Sequence, residues 1–144
     1  AEGAHIVTDT QMALSGINKK TLAAFGGQVH CFMADEDVAR QARERGVTRA
    51  CVSMEKAATL SVPLIFAIGN APTALLRLDE LVREGTVRPR LIIGVPVGFV
   101  NVVQSKERIM NAGVPCIVAK GRKGGSNVAA AIVNAGLYRL TRAE

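Results

Sequence analysis

Tryptophan is missing from the 144-residue chain, tyrosine occurs once and phenylalanine four times. A surface that stacks bases needs aromatics interleaved with cations. Here the basic residues are dispersed through helical patterns and turns, so the formal charge of +6 does not indicate nucleic acid. An acidic small ligand or plain surface solubility accounts for it equally well. Cysteine is also scarce: Cys31, Cys51 and Cys116 stand apart, with no CxxC and no Cys/His cluster. They read as buried small hydrophobes, and no metal site is expected. No apolar run approaches the ~20 residues that span a bilayer, and no charged-then-apolar leader opens the chain. The expected compartment is the cytoplasm, and no membrane partner is implied. The length fits one domain, 1–144, with a sizeable core.

The chain is rich in Val, Ile, Leu and Ala, the usage of strands covered by helices on both faces. Five short apolar runs recur: Ile6-Val7, Val29–Met33, Leu64–Ile68, Leu91–Ile93 and Cys116–Ala119. Between them helical period shows in Asp37–Arg45, Ala50–Leu60 and Thr73–Arg83, and Asn127–Leu140 follows Ser126, a good N-cap. Gly46, Gly85 and Gly113 stop helical runs, and Pro63, Pro89 and Pro115 stand at strand starts. Strands alternating with helices make βαβ units, and right-handed crossovers then give an open parallel sheet: an α/β fold. The chain starts at Ala1, a few residues before the first strand, which suggests a truncated or processed polypeptide, or a numbering that begins at one.

In such a sheet, ligands bind beyond the carboxyl ends of the strands. Three glycine-rich turns stand there. Gly69-Asn70-Ala71-Pro72-Thr73 offers a sharp turn, a proline suited to a first helical turn, and free N–H groups with the Asn70 and Thr73 side chains above the sheet. Gly94-Val95-Pro96-Val97-Gly98-Phe99 puts a rare aromatic in a loop, either as a hydrophobic cap or as a flat face against a ligand ring. Lys120-Gly121-Arg122-Lys123-Gly124-Gly125-Ser126 combines glycine, cations and a helix start, the makings of an anion cradle or of a solvated loop. It has neither Walker A nor dinucleotide-fingerprint spacing. Arg49, after Thr48, reads as a surface arginine able to reach a carboxylate.

Together these residues resemble the precorrin-8X methylmutase family, including its cobalt-precorrin-8 members. The likeness rests on Asp9-x-x-Met12, Gly16-Ile17, Thr48-Arg49, Gly69 to Leu75, Gly94 to Val100, Ser105-Lys106 and Gly121-Arg122-x-Gly124-Gly125-Ser126, in register from about Ala1 to Leu140. The resemblance implies a flavodoxin-like three-layer α/β/α fold with a five-stranded parallel sheet in order 2-1-3-4-5. It implies an isomerase of corrinoid biosynthesis that moves a methyl group from C11 to C12 of ring C, giving hydrogenobyrinic acid or its cobalt form. It further implies no cofactor, a corrinoid tetrapyrrole as partner, and a homodimer.

By the same resemblance the substrate-binding set is Asp9, Met12, Thr48, Arg49, Asn70, Ala71, Pro72, Thr73, Pro96, Val97, Gly98, Phe99, Ser105, Lys106, Arg122, Gly124, Gly125 and Ser126. Arg49, Lys106 and Arg122 would pair with carboxylates, and Val97 and Phe99 would face the macrocycle. The family's acid is a histidine in a further N-terminal segment. Neither His5 nor His30 matches its motif; both read as structural, so no catalytic residue is assigned within this chain. Gln104 stands where many members carry Glu before Ser-Lys. Two other functions fit the sequence: a non-catalytic tetrapyrrole carrier, and a flavodoxin-like FMN or nucleotide binder with its phosphate at Gly121–Ser126.

Overall fold

The computed structural model describes residues 3–96, 102–119 and 124–143, the last six of these as backbone. Strands β1 (His5–Thr8), β2 (Val29–Cys31), β3 (Leu64–Ile68), β4 (Leu91–Gly94) and β5 (Cys116–Val118) form one parallel sheet in order β2-β1-β3-β4-β5. This is the flavodoxin-like order. Parallel register is set by pairs such as Val7 with Phe66 and Phe66 with Ile92.

Successive strand residues face opposite ways, and the two faces have different covers. Val7, Phe66, Ile68 and Ile92 pack on α4 (Arg49–Ala57), α5 (Pro72–Arg83) and α6 (Val102–Met110), through Met54, Leu75, Leu78 and Ile109. Ile6, Ala67 and Ile93 pack on the other side against α7 (Ser126–Ala143), through Ala129, Ala130 and Val133. Helix α3 (Glu36–Arg45) lies along α4, with Val38 and Ala42 against Val52.

Three helices have no counterpart in the periodic segments: the nine-residue α6, and α1 (Gln11–Gly16) and α2 (Lys19–Ala24), six residues each. So short a segment as α1 or α2 shows no amphipathic period. It is held instead by its caps, Thr10 accepting from the Ala13 N–H and Asn18 from the Thr21 N–H. Asn134 of α7 fixes the joint between α1 and α2, accepting from the Asn18 N–H and donating to the Gly16 carbonyl.

The helices on the α5 side are fastened by charge. Asp79, fully buried, accepts from Arg83 Nε at 2.7 Å, and Arg108 of α6 lies 2.9 Å from its other oxygen, without the alignment of a hydrogen bond. Glu55 joins Arg45 and Arg77. All three cysteines are free and half-buried, not fully buried as their apolar settings suggest; short edge strands leave Cys31 and Cys116 partly open.

His5 and His30 form a pair across β1 and β2, with Nδ1 and Nε2 2.9 Å apart, one donating and the other accepting. Phe32 stacks on His30, and the Lys56 ammonium sits over Phe32. Such a pair needs one unprotonated nitrogen. Burial, and secondarily the neighbouring His5, lower the His30 pKa below its ordinary 6.5.

Two predictions follow from this packing. Phe66→Ala empties the centre of the sheet face and lowers the unfolding free energy by about 3–5 kcal/mol in urea titration. His30 is held neutral in the fold, so the stability it contributes is present above pH 6.5 and is lost as pH falls through its depressed pKa. Urea midpoints taken from about pH 7.5 to about pH 5 therefore drop for the wild type and drop less for His30→Asn. Parallel curves would contradict this role.

Candidate functional site

Above the carboxyl ends of β1 and β3, and beside the start of α7, lies a cleft of about 470 Å³. Thr10, Met12, Gly69, Asn70, Gly124, Gly125, Ser126 and Asn127 line it. Another cavity, of about 200 Å³ and under α7, is lined only by apolar residues and glycine, with no group to orient a polar ligand. The cleft has hydroxyls, carboxamides and backbone, and it lies where an open α/β sheet binds ligands.

Its walls interlock. A Cβ built on Gly69 would lie 2.6 Å from Ser126 Cα and 2.7 Å from Gly125 O, so the β3–α5 turn and the start of α7 touch with no room for a side chain. Gly124, with φ of 151°, lets the chain pass Val95, whose carbonyl accepts from the Gly125 N–H at 2.7 Å. Ser126 does not cap α7, as its position suggests. The Gly125 carbonyl already accepts from Ala129, and the Ser126 hydroxyl turns to Thr10, 2.7 Å away.

Asp9 leads from β1 into this circuit. Its carboxylate is 1 % exposed and accepts three successive N–H groups, from Gly69 at 2.9 Å, Asn70 at 2.8 Å and Ala71 at 2.6 Å. The turn's N–H groups, expected to be free for a ligand, are thus taken by the protein's own carboxylate. Burial raises the Asp9 pKa above 3.8, although the three N–H groups pull it down. Ala71 is the N-cap of α5 and has no capping side chain of its own; Asp9 takes the N–H of Ala71 itself and those of the two residues before it.

Of the residues singled out in the sequence, the structure brings Met12, Asn70, Gly124, Gly125 and Ser126 to the cleft, together with Thr10 and Asn127, which carried no sequence signal beyond adjacency to Asp9 and Ser126. Met12 is 63 % exposed, an apolar side chain presented at the rim. Ala71 and Pro72 open α5. Thr48 caps α4 through the Cys51 N–H and lies 3.5 Å from Thr73, with Arg49 exposed beside it.

Others point inward. Pro96 is buried. The Ser105 hydroxyl donates to the Val102 carbonyl within α6. Lys106 is 2 % exposed and donates to the Ala119 carbonyl at 2.7 Å, and burial lowers its pKa. Val97, Gly98, Phe99 and Arg122 lie outside the described residues. Neither histidine lines the cleft.

The arrangement defines a doubly wound α/β protein with a glycine-walled cleft at the strand ends. The sequence model of the precorrin-8X methylmutase family matches residues 1–139. The cobalt-precorrin-8 methylmutase of Salmonella typhimurium is 50% identical over 139 residues, covering 96% of this chain and 64% of its own length. That of Priestia megaterium is 47% identical over 133 residues, covering 92% and 59%. The crystal structure of precorrin-8x methyl mutase from Thermus thermophilus superposes with a TM-score of 0.85 at 40% identity, over 98% of this chain and 68% of that one. The chain belongs to the precorrin-8X methylmutase family, and it spans just under two thirds of the length of these curated relatives.

Gly69→Ala tests the interlock. Its Cβ meets backbone, which cannot step aside as a flexible side chain does, so the substitution costs about 1–3 kcal/mol of stability. Amide resonances of Gly125 and Ser126 move with it; a neutral effect on both would show that the turns are not in contact.

Proposed function

We propose that this protein acts in corrinoid biosynthesis as a methylmutase, binding precorrin-8X or its cobalt counterpart across the cleft. The observation that carries the reading is the joined pair of turns, Gly69-Asn70 and Gly124-Gly125-Ser126, at the strand ends of a chain of this family. A corrinoid is a broad, flat macrocycle rimmed with carboxylates. Met12 supplies an apolar surface for the ring, and Asn70, Ser126 and Asn127 supply hydrogen bonds to its periphery. Arg49, Thr48 and Thr73 stand further out, toward the α4 and α5 starts. Val97, Gly98, Phe99 and Arg122 join the site on the strength of the resemblance alone.

The reaction is intramolecular. The methyl bond to C11 breaks as the bond to C12 forms, with no change in the atoms of the substrate. The protein's part is to hold the macrocycle, to protonate the ring C region and to take a proton back once the methyl group has moved. An acid of that kind contributes roughly 10²–10⁴-fold, and holding the ring in one geometry contributes through positioning. His5 and His30 are bonded to each other away from the cleft, and on the resemblance alone the acid is a histidine outside these 144 residues. On the same reading the protein is a cytoplasmic homodimer; no helix among the described residues is long and apolar enough to cross a membrane.

Hydrogenobyrinic acid added to the 144-residue chain is expected to show a shifted visible spectrum on binding, while precorrin-8X is converted slowly or not at all. Conversion at the rate of a full-length relative would place the acid within this chain. Absence of binding to either corrinoid would overturn the corrinoid reading.

A further inference from the structure

We infer that Asp9 is a positioning residue for the cleft: its buried carboxylate holds the Gly69-Asn70-Ala71 turn against the start of α7 and makes no contact with the ligand. The inference rests on the corrinoid reading for its binding test only; the geometry stands without it. Asp9 spends its accepting oxygens on three consecutive N–H groups of one turn, and it is closed off from solvent.

The turn it holds is one wall of the cleft, and that wall touches the other. Gly69 abuts Gly125 and Ser126, and the Ser126 hydroxyl returns to Thr10, the residue after Asp9. The circuit therefore closes: Asp9 to Gly69, Gly69 to Ser126, Ser126 to Thr10. Thr10 is fixed in its turn, its carbonyl accepting from the buried Thr8 hydroxyl at 2.9 Å and its own hydroxyl capping α1. In a closed loop of contacts, moving the carboxylate moves both walls. Asn70 and Ser126, which face the ligand, take their spacing from a residue that does not.

Holding this carboxylate out of water carries a cost of its own. A pKa raised by burial means that the ionised carboxylate is held less favourably in the fold than in water. Asp9 thus lowers global stability at neutral pH relative to its protonated form while ordering the turn locally.

Two variants separate the possibilities. Asp9→Asn keeps the size but leaves one of the three N–H groups facing a donor; Asp9→Glu keeps the charge and pushes the turn outward by a methylene. In the folded variants, hydrogen exchange is expected to speed up at Gly69, Asn70 and Ala71, and also at Gly125, which Asp9 does not touch. Affinity for hydrogenobyrinic acid falls about ten-fold or more, the scale of a lost charged hydrogen bond. Unchanged Gly125 exchange in either variant would overturn the inference, as would unchanged affinity.

A wild-type measurement guards against variants that do not fold. On titration with hydrogenobyrinic acid, the Asp9 carboxyl carbon resonance and the protection of the three amides stay as they were. A shifted carboxyl resonance would mean direct contact and would overturn the inference. If the wild type binds no corrinoid, the corrinoid reading fails, and Gly125 exchange in the folded variants still decides the role of Asp9.

Discussion

One carboxylate and three amide N–H groups organise the working end of this molecule. Taking a carboxylate out of water costs several kcal/mol unless hydrogen bonds replace its hydration, and Asp9 recovers much of that from Gly69, Asn70 and Ala71. The reciprocal benefit goes to the turn, whose N–H groups ahead of α5 find their acceptor in this carboxylate. Each side satisfies what the other leaves open. The carboxyl end of β1 and the β3–α5 turn consequently behave as one unit, although sixty residues separate them in the chain.

That unit is held by a frame that has little to do with the ligand. The sheet is sealed by Phe66, Leu75 and Leu78 on one face and by Ile93, Ala129 and Val133 on the other. Buried Asp79 ties α5 to α6 below the turns. Lys106 adds a strut from α6 to the end of β5, its ammonium on the Ala119 carbonyl, just ahead of the 120–123 segment. A residue whose type suggests a hand for anions is in this setting a brace.

The strands and four of the five larger helices were legible because their signal is local and periodic: five short apolar runs and four helical segments, placed to within a few residues, with α6 left out. Gly46, Gly85 and Gly113 do carry the positive φ of helix stops. The short helices α1 and α2 were not legible, since six residues held by Thr10 and Asn18 caps leave no period to read. The positions of the turns were also legible, but their hydrogen bonding was not. Whether the N–H groups after Gly69 are open depends on a residue in another strand, and no spacing within the turn contains that information. The same holds for Ser126, whose hydroxyl looked like a cap and instead meets Thr10, and for Ser105, whose hydroxyl folds back on its own helix.

The charge of the chain makes the same point about what composition can say. A formal +6 suggests a basic surface waiting for an acidic ligand, yet many of these cations are occupied within the fold. Arg45 and Arg77 are bound to Glu55, Arg83 and Arg108 to Asp79, Lys56 to Asp35 and Asp37, and Lys106 to a carbonyl. Ion pairs of this kind at partly exposed positions each contribute little to stability, but they cancel local field. Around the cleft the described groups are mostly neutral: hydroxyls, carboxamides and backbone, with Asp9 withdrawn behind its N–H groups. What the described residues offer a carboxylate-rimmed ring is hydrogen bonds of fixed spacing. Fixed spacing is what a closed circuit of contacts through Asp9, Gly69, Ser126 and Thr10 can supply.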